Sequence, residues 1–291
     1  MAKKAMLITG VSSGLGKTLA EEALRQGWTV VGTVRKEADR QKFEAINPGH
    51  AIGRILDVTD TAAVPKVVAG VETAIGPVDV LVNNAGYGLF GAIEEASLAE
   101  VRQQFETNVF GQIAVLQAVL PYMRQRRRGH ILNMTSMGGL VAFPLVGIYN
   151  ASKFAMEAVT EALAQEIREF GIIVTAIEPG MFKTDWIGRS LRRVETAISD
   201  YDGLRKRHDE TPLPWNGDLT KAAQAMLTII ATENPPGHVL LGSIADRLVG
   251  QKLETLRKEF AAGKQLSAST DGSTAASRLL VYKKKVGQFI Q

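Results

Sequence analysis

The chain has no cysteine among its 291 residues. That excludes disulfide staples, thiolate metal sites and a thiol nucleophile. Histidine is scarce as well. His50, His130, His208 and His238 are scattered without ligand spacing, and no metal is expected. No apolar run approaches the length of a membrane span. The opening MAKKAMLITG imitates a signal peptide, but its apolar patch AMLI is broken by Thr9-Gly10 and is too short for one. A soluble, cytoplasmic protein without membrane association is expected. Neither sign of charge dominates, with 34 Lys+Arg against 30 Asp+Glu. The densest basic run, RQRRRGH at 124–130, closes an amphipathic stretch where cations meet the negative end of a helix. No aromatic interleaving or recognition motif accompanies it, so nucleic acid is not an expected partner.

What is present is alternation. Short apolar runs rich in β-branched residues (AMLITG, WTVVGTV, AIGRILDV, VDVLVNN, HILNMTS, IIVTAIEPG, HVLLG) are separated by segments of helical period. Seven continuously apolar strands interleaved with helices predict an α/β fold. It is a single Rossmann-type, doubly wound domain whose seven-stranded parallel sheet is covered by helices on both faces. The domain is expected over 1–262, with 185–215 as a charged excursion carrying Trp186, Ile187, Leu191, Tyr201 and Leu204 that suits a substrate lid. Residues 263–291 are expected to be a flexible tail.

The first strand runs into TGVSSGLGKTLA, with Gly10, Gly14 and Gly16 between strand and helix. Such a turn lets backbone approach a phosphate at the helix N-terminus. The spacing matches neither the G-x-G-x-x-G fingerprint nor a P-loop. At the end of the second strand, VVGTVRK supplies Arg35 where a NAD-specific site would place an acid. An arginine there suits a 2′-phosphate, so NADP(H) is the expected cofactor.

In GIYNASKFAM, Tyr149 and Lys153 are four residues apart, on one face of a helix. Tyrosine titrates near 10, so proton transfer near neutrality needs a shift of about three units, roughly 4 kcal/mol. A lysine charge at about 4 Å supplies on the order of 4 kcal/mol at an effective dielectric of 20. The spacing therefore predicts a tyrosine whose pKa is lowered by its lysine.

Together, TGVSSGLG (9–16), LDV (56–58), NNAG (83–86), Asn108, Ser136, Tyr149-x-x-x-Lys153 and PGMFKT (179–184) resemble the short-chain dehydrogenase/reductase family over about residues 5–260. The long excursion and the later ENPPGHVLLG region resemble its hydroxysteroid and retinol dehydrogenase-like branch. The resemblance implies a catalytic tetrad of Asn108, Ser136, Tyr149 and Lys153. It further implies that Gly10, Ser12, Gly14, Leu15 and Gly16 line the pyrophosphate, and that Asp57 and Val58 contact the adenine. Asn83, Ala85 and Gly86 fall by the adenine-side ribose, and Pro179, Gly180, Met181 and Thr184 at the nicotinamide end. The implied activity is NADP(H)-dependent interconversion of an alcohol and a ketone or aldehyde. Tyr149 would be the general acid/base, Ser136 would polarise the carbonyl, Lys153 would hold the nicotinamide ribose and Asn108 a relay water. The small apolar stretch after Ser136, together with Tyr87, Leu89, Phe90, Met181, Phe182 and Trp186, suits a bulky apolar substrate. Two other readings stay open: an NADPH-binding regulator without turnover, and a 3-oxoacyl-carrier-protein-type reductase that docks on Arg124 and Arg126–Arg128. Pairing through helices near 99–125 and 149–170 implies a homodimer or homotetramer.

Overall fold

The computed structural model describes residues 4–182, 190–210 and 217–271. The seven apolar runs become seven strands: β1 (Ala5–Thr9), β2 (Thr29–Val34), β3 (Ala51–Ile55), β4 (Val78–Asn83), β6 (Gly129–Met134), β7 (Ile172–Pro179) and β9 (His238–Leu241). They form one sheet in the order β3-β2-β1-β4-β6-β7-β9, parallel throughout. The chain moves outward from β1 to β3, then returns to the centre through β4. That reversal leaves a crevice beyond the carboxyl ends of β1 and β4, where open α/β sheets receive ligands.

Two apolar layers clothe the sheet. On one side α1 (Gly14–Arg25) and α8 (Leu219–Ala231) bury Leu19, Ala20, Ala23, Ala222, Ala223 and Met226 against Met6, Ile8, Val80 and Leu132. On the other, α3 (Ala63–Ala74) and α5 (Gly111–Arg126) set Val68, Val71, Val115 and Val119 against Leu7, Leu81 and Ile131. α2 (Glu37–Glu44) follows β2. α6 (Gly147–Glu166) precedes β7, and Gly171, at φ +66°, takes the left-handed turn that ends this helical region.

The long helical stretch before the basic run is not one α-helix. α4 (Leu98–Phe105) opens with a capping box in which Ser97 and Glu100 satisfy each other's backbone N–H. It then widens into a π-helical turn, Glu106–Phe110, before α5 begins. Asn108 sits in that turn. Three arginines of the basic run that closes α5 have local partners. Arg126 is held by Glu72 and by the Val78 carbonyl, Arg128 by Asp79, and Arg127 stacks on Phe170.

Two short strands were absent from the sequence expectation. β5 (Gly88–Phe90) pairs in parallel with β8 (Leu191–Arg193), inside the excursion. A satellite cluster of Phe90, Ala92 and Leu145, with Leu191, Tyr201 and Leu204 against it, binds the excursion and its helix α7 (Asp202–Glu210) to the body. Glu95 is the polar pin. Its carboxylate accepts from the backbone N–H groups of Ala92 and Ile198 and meets Arg205 at 2.5 Å. Those bonds hold it well below the usual carboxylate range, at about 2.

α9 (Ser243–Ser269) runs through residue 262. The chain divides into one compact unit ending at Asp246 and a second beginning at Arg247. No helix among the described residues is long and apolar enough to cross a membrane. Replacing Glu95 by Ala should free the excursion from its pin. The expected outcome is trypsin cleavage at Arg192, Arg193 or Arg205 under conditions where the wild type stays intact.

Candidate active site

Four side chains converge where β6 ends and α6 begins. Ser136 follows β6 directly; its Oγ accepts from Gly138 N–H at 2.9 Å and donates toward the Pro179 carbonyl at 3.5 Å. Tyr149, in the first turn of α6, is half-buried and hydrogen-bonded to Ser136. One turn on, Lys153 is 5% exposed, and its Nζ donates to the Met134 carbonyl at 2.7 Å. Asn108 is wholly buried. Its Oδ1 accepts from Tyr87 N–H at 3.0 Å, and its Nδ2 donates to the Tyr87 carbonyl at 2.9 Å and to Ser152 Oγ at 3.0 Å. The π-turn gives Asn108 the extra rotation that aims it inward rather than along the helix.

The electrostatics differ from the sequence expectation. Burial pushes the Tyr149 phenol above its ordinary value, and the Ser136 hydrogen bond only partly opposes this. The Lys153 ammonium lies 5.9 Å from the phenol ring centroid and donates to a backbone carbonyl. Burial also brings Lys153 down to about 8, with the Glu157 carboxylate opposing.

The turn between β1 and α1 suits an anion. Gly10 and Gly14 take positive φ, +76° and +60°. Ser13, the N-cap of α1, makes no side-chain cap bond, and the first turn carries no acid. A Cβ on Gly16 would collide with the Asn84 amide and the Gly10 carbonyl. A helix N-terminus left uncapped behind a glycine turn fits a phosphate group. Ser12, Gly14, Leu15, Ala85, Gly86, Pro179, Gly180 and Met181 keep partly or fully exposed surface beyond the strand ends, and Arg35 is exposed just after β2.

The profile for "short chain dehydrogenase" matches residues 4–194. The chain belongs to the short-chain dehydrogenase/reductase family. Among its relatives, 3-ketodihydrosphingosine reductase of Bacteroides thetaiotaomicron is 38% identical over 85% of this chain and 91% of its own. Retinol dehydrogenase 8 of Bos taurus is 40% identical over 81% and 80%. A short-chain dehydrogenase from Streptomyces avermitilis superposes with a TM-score of 0.86 at 37% identity, covering 94% of this chain and all of that one. Two further solved structures carry different nucleotides. ElxO with NADP bound has a TM-score of 0.68 at 27% identity, over 82% of this chain and 96% of its own. A short-chain dehydrogenase/reductase from Burkholderia phymatum in complex with NAD has 0.78 at 25%, over 88% and 95%.

In this short-chain dehydrogenase/reductase Asn83, Leu89, Phe90 and Phe182 stand elsewhere than the sequence placed them. Asn83 does not face the crevice. It is fully buried, and its amide donates to Asn133 Oδ1 at 3.1 Å and toward the Gln112 carbonyl at 3.4 Å. Its neighbour Asn84 does the work at the turn, donating to the carbonyls of Thr9 and Gly10 at 2.9 and 2.8 Å. Thr9 completes the clamp by accepting the backbone N–H groups of Asn84 and Ala85. Asp57 is exposed, with one oxygen engaged by the backbone and hydroxyl of Thr59. Val58 is buried, under Gly111. Leu89 and Phe90 are spent on packing, as is Phe182, which lies against Gly217. Thr184 and Trp186 lie outside the described residues. Ser152, inside α6, and Asn84, just after β4, were missed because serine and asparagine side chains ordinarily serve only the local backbone.

Replacing Gly16 by Val should push Asn84 off the turn. A loss of NADPH affinity of at least about 100-fold is expected, equivalent to some 3 kcal/mol. Quenching of tryptophan fluorescence on NADPH titration reads it, with circular dichroism as the folding control.

Proposed function

We propose that this chain is an NADPH-dependent reductase of bulky apolar ketones, with Tyr149 as the proton donor. One observation carries the reading. Tyr149 and Ser136 are hydrogen-bonded to each other at the carboxyl end of β6, with Lys153 buried one turn along. A substrate oxygen placed between the two hydroxyls would accept from both. Ser136 would polarise the carbonyl, and Tyr149 would deliver a proton to the developing alkoxide. A phenol held above its ordinary value by burial suits the acid role. The nicotinamide, when bound, supplies the hydride.

For the cofactor, the glycine turn with Ser12, Leu15 and Gly16 would hold the pyrophosphate. Asp57 and Val58 would border the adenine, Ala85 and Gly86 the ribose, and Pro179, Gly180, Met181 and Thr184 the nicotinamide. Lys153 would reach the nicotinamide ribose. Asn108 would act as a positioning residue, since its three bonds fix the Tyr87 backbone and Ser152. Arg35 would meet the 2′-phosphate. The nearest acid after it, Glu37, is already paired with Arg40, which supports NADP over NAD. The bulky apolar substrate is supported by the relatives named for ketodihydrosphingosine and retinol, and by Leu140, Val141, Phe143 and Met181, which remain partly exposed. Exposed Phe110 and Phe154, on the helices expected to pair, support a homodimer or homotetramer.

NADPH oxidation against aliphatic, aromatic and long-chain ketones tests the reading. Tyr149→Phe should lose turnover by at least about 100-fold while binding NADPH as before. Equal turnover in the variant would sink the assignment. Arg35→Glu should cut the preference for NADPH over NADH by roughly 10- to 100-fold, the worth of one charge-assisted hydrogen bond.

The pH dependence follows from Lys153. It is a cation below about 8 and neutral above, and only the cation would offset the negative charge left on Tyr149 as its proton leaves. The kcat/KM for reduction should therefore be level below that value and fall above it. In Lys153→Arg, whose charge persists, any remaining activity should not show this fall.

A further inference from the structure

A second polar cluster lies under α6, away from the substrate-facing hydroxyls. Glu178 is 1% exposed near the end of β7, and Glu157 is 4% exposed on α6. His238 opens β9. Its register partner is Ala176, two residues before Glu178, so both side chains rise from the same face of the sheet. His238 Nδ1 lies 2.6 Å from Glu178 Oε1 and 3.6 Å from Glu157 Oε2. Neither oxygen of Glu157 has a hydrogen-bond partner, nor has Glu178 Oε2. The Thr135 hydroxyl borders Glu157 and partly opposes the effect of burial there, but it donates its one proton to the Ile177 carbonyl at 2.9 Å.

Two buried carboxylates with three orphaned oxygens are costly unless something positive joins them. Protons serve in part: burial pushes Glu157 up to about 7, and the Glu178 hydrogen bond raises His238. A divalent ion would serve better, because it satisfies all three groups at once and balances both charges.

We propose that Glu157, Glu178 and His238 bind one divalent transition-metal ion of the zinc type. One ligand atom from each residue lies within 4.8 Å of the others. In a tetrahedral site with bonds of about 2.0–2.1 Å, ligand atoms stand roughly 3.3 Å apart, a separation that 2.6 and 3.6 Å bracket. The outer shell is present as well. Glu161 Oε1 lies 3.7 Å from His238 Nε2, on the ring nitrogen facing away from the carboxylates. Carboxylates in that position orient metal-bound imidazoles. His238 is partly exposed, which leaves a fourth position open to water and a route for entry. A mixed imidazole and carboxylate set favours zinc or cobalt over magnesium, which demands six oxygens. The ion would tie α6, β7 and β9 together.

The test is metal titration of the full chain after treatment with EDTA. Zinc should bind saturably at one equivalent by calorimetry and raise the unfolding midpoint by about 5–10 °C at a hundredfold excess over Kd. Cobalt(II) should give visible absorption bands of a tetrahedral site. Both signals should vanish in His238→Ala, whose partly exposed side chain can be removed without opening the core, and in Glu178→Gln. Both should persist in His208→Ala, which controls for surface histidine. No saturable binding to the wild type would overturn the proposal. So would undiminished binding in His238→Ala, or equal stabilisation by magnesium.

Discussion

Every piece of chemistry in this molecule depends on seven strands pointing the same way. Parallel strands must be crossed by helices, so both faces of the sheet are buried and the residues that leave the strands emerge together at one edge. The glycine turn leaves β1, Asn84 leaves β4, Ser136 leaves β6, and Pro179 and Gly180 close β7. Residues more than a hundred positions apart thus share one crest. The crest is secured less by side-chain pairs than by side chains bound to backbone. Asn84 holds two carbonyls of the β1 turn, Asn108 both polar groups of Tyr87, and Lys153 the Met134 carbonyl. Such bonds fix geometry independently of neighbouring rotamers, which is what a site assembled from loops requires.

The same burial that orders the crest sets its electrostatics. Low polarity disfavours the charged forms of both Tyr149 and Lys153, raising one pKa and lowering the other. Burial holds the phenol above its ordinary value. Such a phenol suits the proposed role of proton donor in reduction. Service as a base in the reverse direction needs additional positive charge, which an oxidised nicotinamide carries.

The fold was legible because doubly covered strands are apolar on both faces, so seven runs stood out from VDVLVNN to HVLLG. β5 and β8 were not. Three residues each are too few for a pattern, and GLF and LRR pair only because a satellite cluster packs around Phe90 and Leu145. The placing of Ser136, Tyr149 and Lys153 beside one another was legible through spacing and family likeness, but the direction of the Tyr149 shift was not. Helical spacing puts Tyr149 and Lys153 on one face without telling that a carbonyl takes the ammonium. Asn83 and Asn84 illustrate a finer limit: successive residues at a strand end point to opposite sides, and the quoted motif could not say which faced the turn. Glu157, Glu178 and His238 fall on a helix and two strands brought together only by the register of β7 against β9, so nothing in their sequence spacing marks them.

The most direct test of this account is the ionisation of Tyr149 itself, read by ultraviolet difference titration of the wild type against Tyr149→Phe. The phenol should titrate above 10 in the free protein and move down once NADP+ is bound. A phenol already ionising near neutrality without nucleotide would contradict the account, because burial would then not be what governs the ionisation of Tyr149.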